Sequence, residues 1–307
     1  MRQKQFMVLV GLAYGFLFAQ AEAVTYSNAI NESSWKSSTS VFECRLEHQV
    51  PVFGSAVFTT RAGEKSKFYL RSHAAKFDAG QAAVYAKSPV WKKQDQVESL
   101  GYVPVKRGKR PMWLGTENTE KMLSELNMGK EIEFVRKAWF EDKGNPSIRL
   151  AISNIGFREK YRKYLDCLAS LLPANFDQIR RTALYFAPGP TEDKEGLSNG
   201  NMNKLDQMLK LVKHDEKIRH FFIDGHTSAP GDRSENLELS KMRAEMVFDY
   251  LKSRGVPEDW IKIRWHGERY PIASNATASG RAKNRRVTVR MERVEEVEVL
   301  PLAANAQ

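Results

Sequence analysis

The stretch GHTSAPGDRSENLELSKMRAEMVFDYLKSRGVP, residues 225–257, gathers His226, Thr227, Ser228, Asp232, Ser234 and Ser240 just ahead of, and inside, a run of helical periodicity. A histidine among serines suits either nucleophilic hydrolysis or a polar pocket that binds without reaction. Hydrolysis needs a base within hydrogen-bond reach of the hydroxyl and a third group that orients the base. With Ser228 or Ser240 as nucleophile and His226 as base, neighbouring chain positions do not supply that geometry. Ser240 falls inside the helical pattern, and no Gly-x-Ser-x-Gly elbow occurs. A binding pocket with no catalytic residue is the preferred reading, and a hydrolase is its alternative. The absence of Cys-x-x-Cys and His-x-x-x-His spacings leaves a metal site without support, and no cofactor is expected.

The pocket residues need elements to hold them. Leu239, Arg243, Met246, Val247, Tyr250 and Leu251 keep 3.6-residue register, with Gly255 at the C-terminal cap and Pro257 after it, which predicts a helix starting near Asn236. Upstream, RRTALYF reads as a strand, residues 187–201 as a Pro/Gly-rich loop, and Leu205, Met208, Leu209 and Val212 as a helix face. IRHFFID, WIKIRWHGE and RRVTVRMER complete the set as strands. A β-α-β-α-β-β order predicts an α+β sandwich with helices on one face of the sheet.

The first half has a different period. In VFECRLEHQV, residues Phe42, Cys44, Leu46, His48 and Val50 share one side, the mark of a half-buried strand. SAVFTT, KFYLRS, EIEFVRKAWF and SIRLAIS continue the series as antiparallel hairpins, the last two separated by a turn at 141–146. NTEKMLSELNMG predicts one short helix capped by Asn118 or Thr119. FREKYRKYLDCLASLLP carries Phe157, Tyr161, Tyr164, Leu165, Leu168 and Leu172 on one stripe and reads as a connecting helix that ends before Pro173. A mainly-β N-terminal domain is therefore expected at 24–172, an α+β domain at 173–293 and a tail at 294–307.

At the start, Arg2 and Lys4 precede an apolar run from Phe6 to Phe18 and small residues at Ala19, Ala21 and Ala23. That pattern predicts a cleavable secretory signal over 1–23, too short to span a bilayer, which needs roughly 20 apolar residues. The formal net charge is +11, and it falls to +9 or +10 once Arg2 and Lys4 leave, without or with Glu22. Export removes nucleic acid as the natural partner of so basic a chain. The basic runs KRGKR at 106–110 and REKYRK at 158–163 read as solvated faces, with a basic docking surface as the alternative. The two cysteines, Cys44 and Cys167, are expected to form a disulfide in an oxidising compartment.

GHTSAPG, NLELSKMRA, GERYPIASN and GRAKNRRV occur in this order and together resemble the OmpA-like peptidoglycan-binding domain over residues 180–292. CRLEHQVPVFGSAVF after a signal segment, joined to that module, is similar to the MotY family of periplasmic ring components of sodium-driven polar flagellar motors. The resemblance implies a structural role. The first domain would associate with the basal body, and the second with the diaminopimelate-containing stem peptide of peptidoglycan, helping to hold stator units. It implies MotX, the basal body and, through them, the PomA/PomB stator as partners, and the periplasm as location. A generic peptidoglycan tether without a flagellar role is the alternative.

Carried across by motif, the resemblance implies a peptidoglycan site of Arg243, Asn236, Thr227, Ser228, Asp232 and Arg286. Arg243 would clamp a carboxylate with paired guanidinium donors, and the nearby helix N-terminus would add backbone N–H groups. Ser228 stands where the family carries an aspartate, which leaves the ligand's amine without that charge. Asp232 is the expected substitute. His226, Asn284 and Arg285 are expected to maintain the fold.

Overall fold

The computed structural model describes residues 24–29, 31–32, 34–89, 97–137, 147–189 and 196–294. The expected signal, Ala138–Phe140 of the EIEFVRKAWF run, the 141–146 turn and the tail beyond Val294 lie outside these residues. No described helix is long and apolar enough to cross a membrane.

The chain forms two compact units. Of the described residues, the first holds those up to Ser37, those in Leu46–Phe58 and those in Ser66–Arg162, and the second holds Ser38–Arg45, Thr59–Lys65 and those from Lys163 to Val294. The expected boundary at 172/173 follows chain order. The compact units instead place three short pieces, 38–45, 59–65 and 163–172, with the C-terminal half.

The first unit is built around two five-stranded sheets. One contains β1 (Val24–Tyr26), β6 (Gly80–Lys87), β7 (Val97–Val105), β9 (Glu131–Lys137) and β10 (Ser147–Ile152), in the order β1-β10-β9-β6-β7. The other contains β2 (Ser34–Thr39), β3 (Glu43–Val50), β4 (Gly54–Arg61), β5 (Lys67–Ser72) and β8 (Trp113–Leu114), in sequence order. Strands β2, β3 and β4 each carry residues of both units. Period two in β3 buries Cys44, Leu46, His48 and Val50, whereas β4 is buried on both faces up to Arg61. Rings of the two sheets meet where Phe68 stacks on Phe134 at 5.7 Å.

The helix α1 (Thr116–Asn127) starts earlier than its sequence suggests, with Gly115 at the cap. Thr119 is an interior residue whose hydroxyl donates to the Gly115 carbonyl at 2.8 Å rather than capping. On α2 (Phe157–Ser170), Phe157 and Tyr164 are buried, but Leu165 is exposed. One residue past Tyr164, it is turned about 100° off the stripe.

Buried His48 lies 4.8 Å from the Trp35 ring, and burial pushes its pKa down to about 4. The unfolded chain protonates this ring below its ordinary pKa of about 6.5, while the folded chain does not. Stability is therefore expected to fall by roughly 3 kcal/mol between pH 6.5 and 4 from this group, and to level off below. Urea unfolding at both ends of that window checks it, and His48→Phe should flatten the slope.

The second unit folds as a four-stranded sheet, order β11-β14-β12-β13, from β11 (Arg181–Tyr185), β12 (Ile218–His226), β13 (Ile261–Trp265) and β14 (Arg286–Arg293). The pair β12–β13 is parallel, and β14 is antiparallel to both β11 and β12. Helices α4 (Asn199–His214) and α5 (Arg233–Ser253) supply Leu205, Met208, Leu211, Ala244, Val247 and Leu251 to the core. Ala62 and Leu172 lie in that same core, with Val41 and Phe42 packed against it. A short α3 (Phe176–Ile179) follows just past the expected 172/173 boundary, opened by a capping box of Asn175 and Gln178. A further helix, α6 (Ala278–Asn284), precedes the last strand. Two features fix the ends of α5. Asp232 caps its start, and Gly255 at φ +92° closes it, with Gly255 and Val256 N–H donating back to Lys252 and Leu251.

Candidate functional site: a charged cavity beside the Gly-His-Thr strand end

Strand β12 ends in Gly225 and His226, with Thr227 just beyond, and helix α5 crosses this end closely. A Cβ at Gly225 would lie 2.2 Å from the Ser240 carbonyl oxygen, so the glycine is what permits the approach. Ser240 is fully buried. Its hydroxyl donates to the Leu237 carbonyl at 2.7 Å and accepts from Gly267 N–H at 2.9 Å, and it ties the helix to the loop after β13. Both bonds commit this hydroxyl to the fold and take Ser240 out of any nucleophile role.

A cavity of about 830 Å³ opens between the N-terminal half of α5, the loops after β11 and β12, and α6. Of the sequence-derived site residues, Arg243, Asn236, Thr227 and Ser228 line it. Arg243 is 0% exposed. Its Nη2 donates to the carbonyls of Ala187 at 2.9 Å and Gly189 at 3.3 Å, and its guanidinium lies 5.1 Å from the centre of the Phe186 ring. Arg243 is thus a buried strut as well as a cavity wall. Asn236 donates to Glu268 at 2.9 Å. Thr227 is 3% exposed, its N–H bonds the Gly267 carbonyl at 2.9 Å, and its Oγ1 has no hydrogen-bond partner among the described residues. A buried hydroxyl left in that state costs about 1–3 kcal/mol unless a ligand satisfies it.

Two expected residues stand apart from the cavity. The Asp232 carboxylate accepts from Ser234 N–H at 2.7 Å and Glu235 N–H at 3.3 Å, so its charge is spent on capping the helix. Asn236 N–H donates to the Asp232 carbonyl within the helix. The helix therefore begins three residues before Asn236, and these amides are already used, against the expectation of free donors there. Asp232→Ala should cost about 1 kcal/mol of stability through the lost cap, read as a lower melting temperature. Arg286 is buried behind the cavity and donates to the Tyr270 carbonyl at 3.1 Å.

Other residues complete the lining. Arg281 donates to the carbonyls of Asn275 and Ala276, and Arg285 to that of Phe186 at 3.1 Å. Both line the cavity together with Glu235, Glu238 and Glu245. Glu238 and Glu245 face Lys241 at 3.8 and 4.0 Å, while Glu235 makes no ion pair among the described residues. The walls therefore carry three guanidinium groups and three carboxylates, a lining suited to a ligand with both charges. Asn284, fully buried, holds the loop above α6 by accepting from Ile272 and Ala273 N–H and donating to Ala273 and Asn275.

His226 is buried and stacks on His266 at 5.0 Å. Burial, then the neighbouring Arg286 and His266, push its pKa down to about 4, and it keeps the neutral form in the physiological range. It adds to the acid destabilisation assigned to His48 over the same window.

Residues 26–173 match the family described as MotY N-terminal domain, and residues 185–285 match the OmpA family. The chain is 29% identical over 302 residues to the sodium-type flagellar protein MotY of Vibrio parahaemolyticus, across 95% of this chain and 99% of that protein. It is 51% identical over 88 residues to the peptidoglycan-binding protein ArfA of Mycobacterium bovis, across 29% of this chain, and spans only 26% of that relative's length. Among solved structures it is similar to the C-terminal domain of Helicobacter pylori MotB, with a TM-score of 0.33 and 23% identity over 37% of this chain and 85% of that one.

Proposed function

We propose that the chain, whose residues 26–173 match the MotY N-terminal domain and whose residues 185–285 match the OmpA family, is a periplasmic structural component of a sodium-driven flagellar motor. In this reading the N-terminal region associates with the basal body, with MotX and the PomA/PomB stator as its direct and indirect partners. The OmpA-family domain holds peptidoglycan, so that stator units are kept in place against torque. Full-length similarity to a sodium-type flagellar protein supports the motor assignment.

The observation that carries wall binding is the cavity whose lining brings together buried Arg243, Thr227 with a hydroxyl unpartnered among the described residues, Asn236 and Ser228, along with the carboxylates of Glu235, Glu238 and Glu245. A diaminopimelate side chain presents a carboxylate and an ammonium. Arg243, Arg281 and Arg285 suit the first. Glu235 suits the second and makes an aspartate at position 228 unnecessary. Ser228→Asp should accordingly change affinity little.

Incubation of the purified chain with sacculi tests the reading. Co-sedimentation without release of soluble muropeptides supports a tether. Release would support a hydrolase, and a chain that stays in the supernatant would remove the wall-binding role.

A further inference from the structure

The basic run at 106–110 takes no part in the cavity and belongs to the other compact unit. It forms the turn between β7 and β8, and backbone bonds pin both of its limbs. Lys106 N–H donates to the Pro111 carbonyl at 2.8 Å. Ser72 N–H donates to Lys109 at 2.8 Å, and Leu70 N–H to Met112 at 3.2 Å, which fastens the descending limb along β5. Gly108 turns the tip at φ +138°. Lys106, Arg107, Lys109 and Arg110 are all exposed, and Lys106, Lys109 and Arg110 make no ion pair among the described residues.

An aromatic pair stands beside this tip. Tyr69 and Trp113 are direct cross-strand partners, and their rings stack at 5.1 Å with 9° between planes. Tyr69 is buried under the indole, while Trp113 is 55% exposed. Exposed Arg71 lies over the Tyr69 ring at 5.9 Å, opposite the hairpin limb by register. The exposed indole of Trp113 thus stands on the same limb as exposed Lys109 and Arg110, with exposed Lys106 across the turn and Arg71 two residues along β5 from the indole's partner Tyr69.

Amphipathic Trp rings with adjacent Lys and Arg settle at the level of lipid headgroups, where the ring meets the edge of the apolar layer and the cations meet phosphates. Carboxylates on a partner protein would satisfy the cations but give the indole no apolar layer to enter. We propose that the hairpin 106–113 is a peripheral docking surface for an anionic lipid bilayer. Lys106, Lys109, Arg110 and Arg71 contact headgroup phosphates, and Trp113 seats at headgroup level. This surface shares no residue with the wall-binding cavity.

The test uses the chain from Val24 onward, which keeps every described residue, and vesicles of phosphatidylcholine with or without phosphatidylglycerol at low and high salt. Binding is expected only with phosphatidylglycerol, and it should weaken with salt. Each cation near such a surface contributes roughly fivefold, so Lys109→Gln with Arg110→Gln should weaken binding about 25-fold at an unchanged melting temperature. Trp113→Phe should weaken it while leaving its salt dependence intact. Equal binding to neutral vesicles, or equal binding by the double variant, would overturn the proposal. So would retention on a polyglutamate resin without vesicle binding, which would point to an acidic protein instead.

Discussion

Replacing Cys44 and Cys167 by serine is expected to cost about 5 kcal/mol of stability, because the disulfide spans 123 residues and restricts the unfolded chain accordingly. The bond joins the edge of β3 to α2, with Cα atoms 5.8 Å apart, and both cysteines are buried. Its effect reaches beyond the strand it was expected to secure within the first domain. Both cysteines belong to the C-terminal compact unit, where Leu172 N–H bonds the Val41 carbonyl at 2.9 Å and Asn175 donates to Ala62 at 3.0 Å. Loosening this clasp frees Val41, Phe42, Ala62 and Leu172 from the core that supports the cavity. The double-serine variant should therefore melt far lower and lose sacculus binding as well. Non-reducing peptide mapping that found two free thiols in exported material would contradict the premise.

Arg243→Ala is expected to abolish sacculus binding and, in addition, to destabilise the second unit by about 3 kcal/mol. The family resemblance alone presents this residue as a carboxylate clamp at a pocket surface, whose loss would leave the fold intact. Its complete burial reverses that expectation. Removal leaves the Ala187 and Gly189 carbonyls without their donor and takes the guanidinium from the Phe186 ring. Arg243→Lys separates the two effects. It keeps the charge and most of the stem but loses the planar fork, so stability should recover more than binding does. Full binding by the lysine variant would show that paired donors at this position are not needed.

The sequence makes the architecture legible wherever one element has one buried face. Alternation in residues 42–50 and the helical register of α5 are of that kind. β6 escapes because its inward side is Ala82, Val84 and Ala86, too small to stand out against its neighbours. Strand β4 escapes the half-buried pattern because Thr59 and Thr60 are buried with their hydroxyls bonded to Glu43 and Tyr164. The site is legible through its motifs, which supply Arg243, Asn236, Thr227 and Ser228. Arg281 and Arg285 come from some forty residues further along, and only the cationic run GRAKNRR hints at them. Asp232 reads equally well as ligand and as cap, and its carboxylate is engaged by the Ser234 and Glu235 N–H groups as a cap. The grouping of 38–45, 59–65 and 163–172 with the C-terminal core has no local signature, since it arises from packing between distant segments.

If the cavity beside Thr227 holds the peptide stem of peptidoglycan, Thr227→Val should weaken wall binding without loss of stability. The change preserves shape and removes a buried hydroxyl that has no partner among the described residues, so the melting temperature should hold or rise. If a ligand normally satisfies that hydroxyl, co-sedimentation with sacculi should weaken about fivefold, as expected for roughly 1 kcal/mol of hydrogen bonding. Free diaminopimelate should displace the unsubstituted chain from the same sacculi. Undiminished sedimentation of Thr227→Val, together with no displacement by diaminopimelate, would contradict the account.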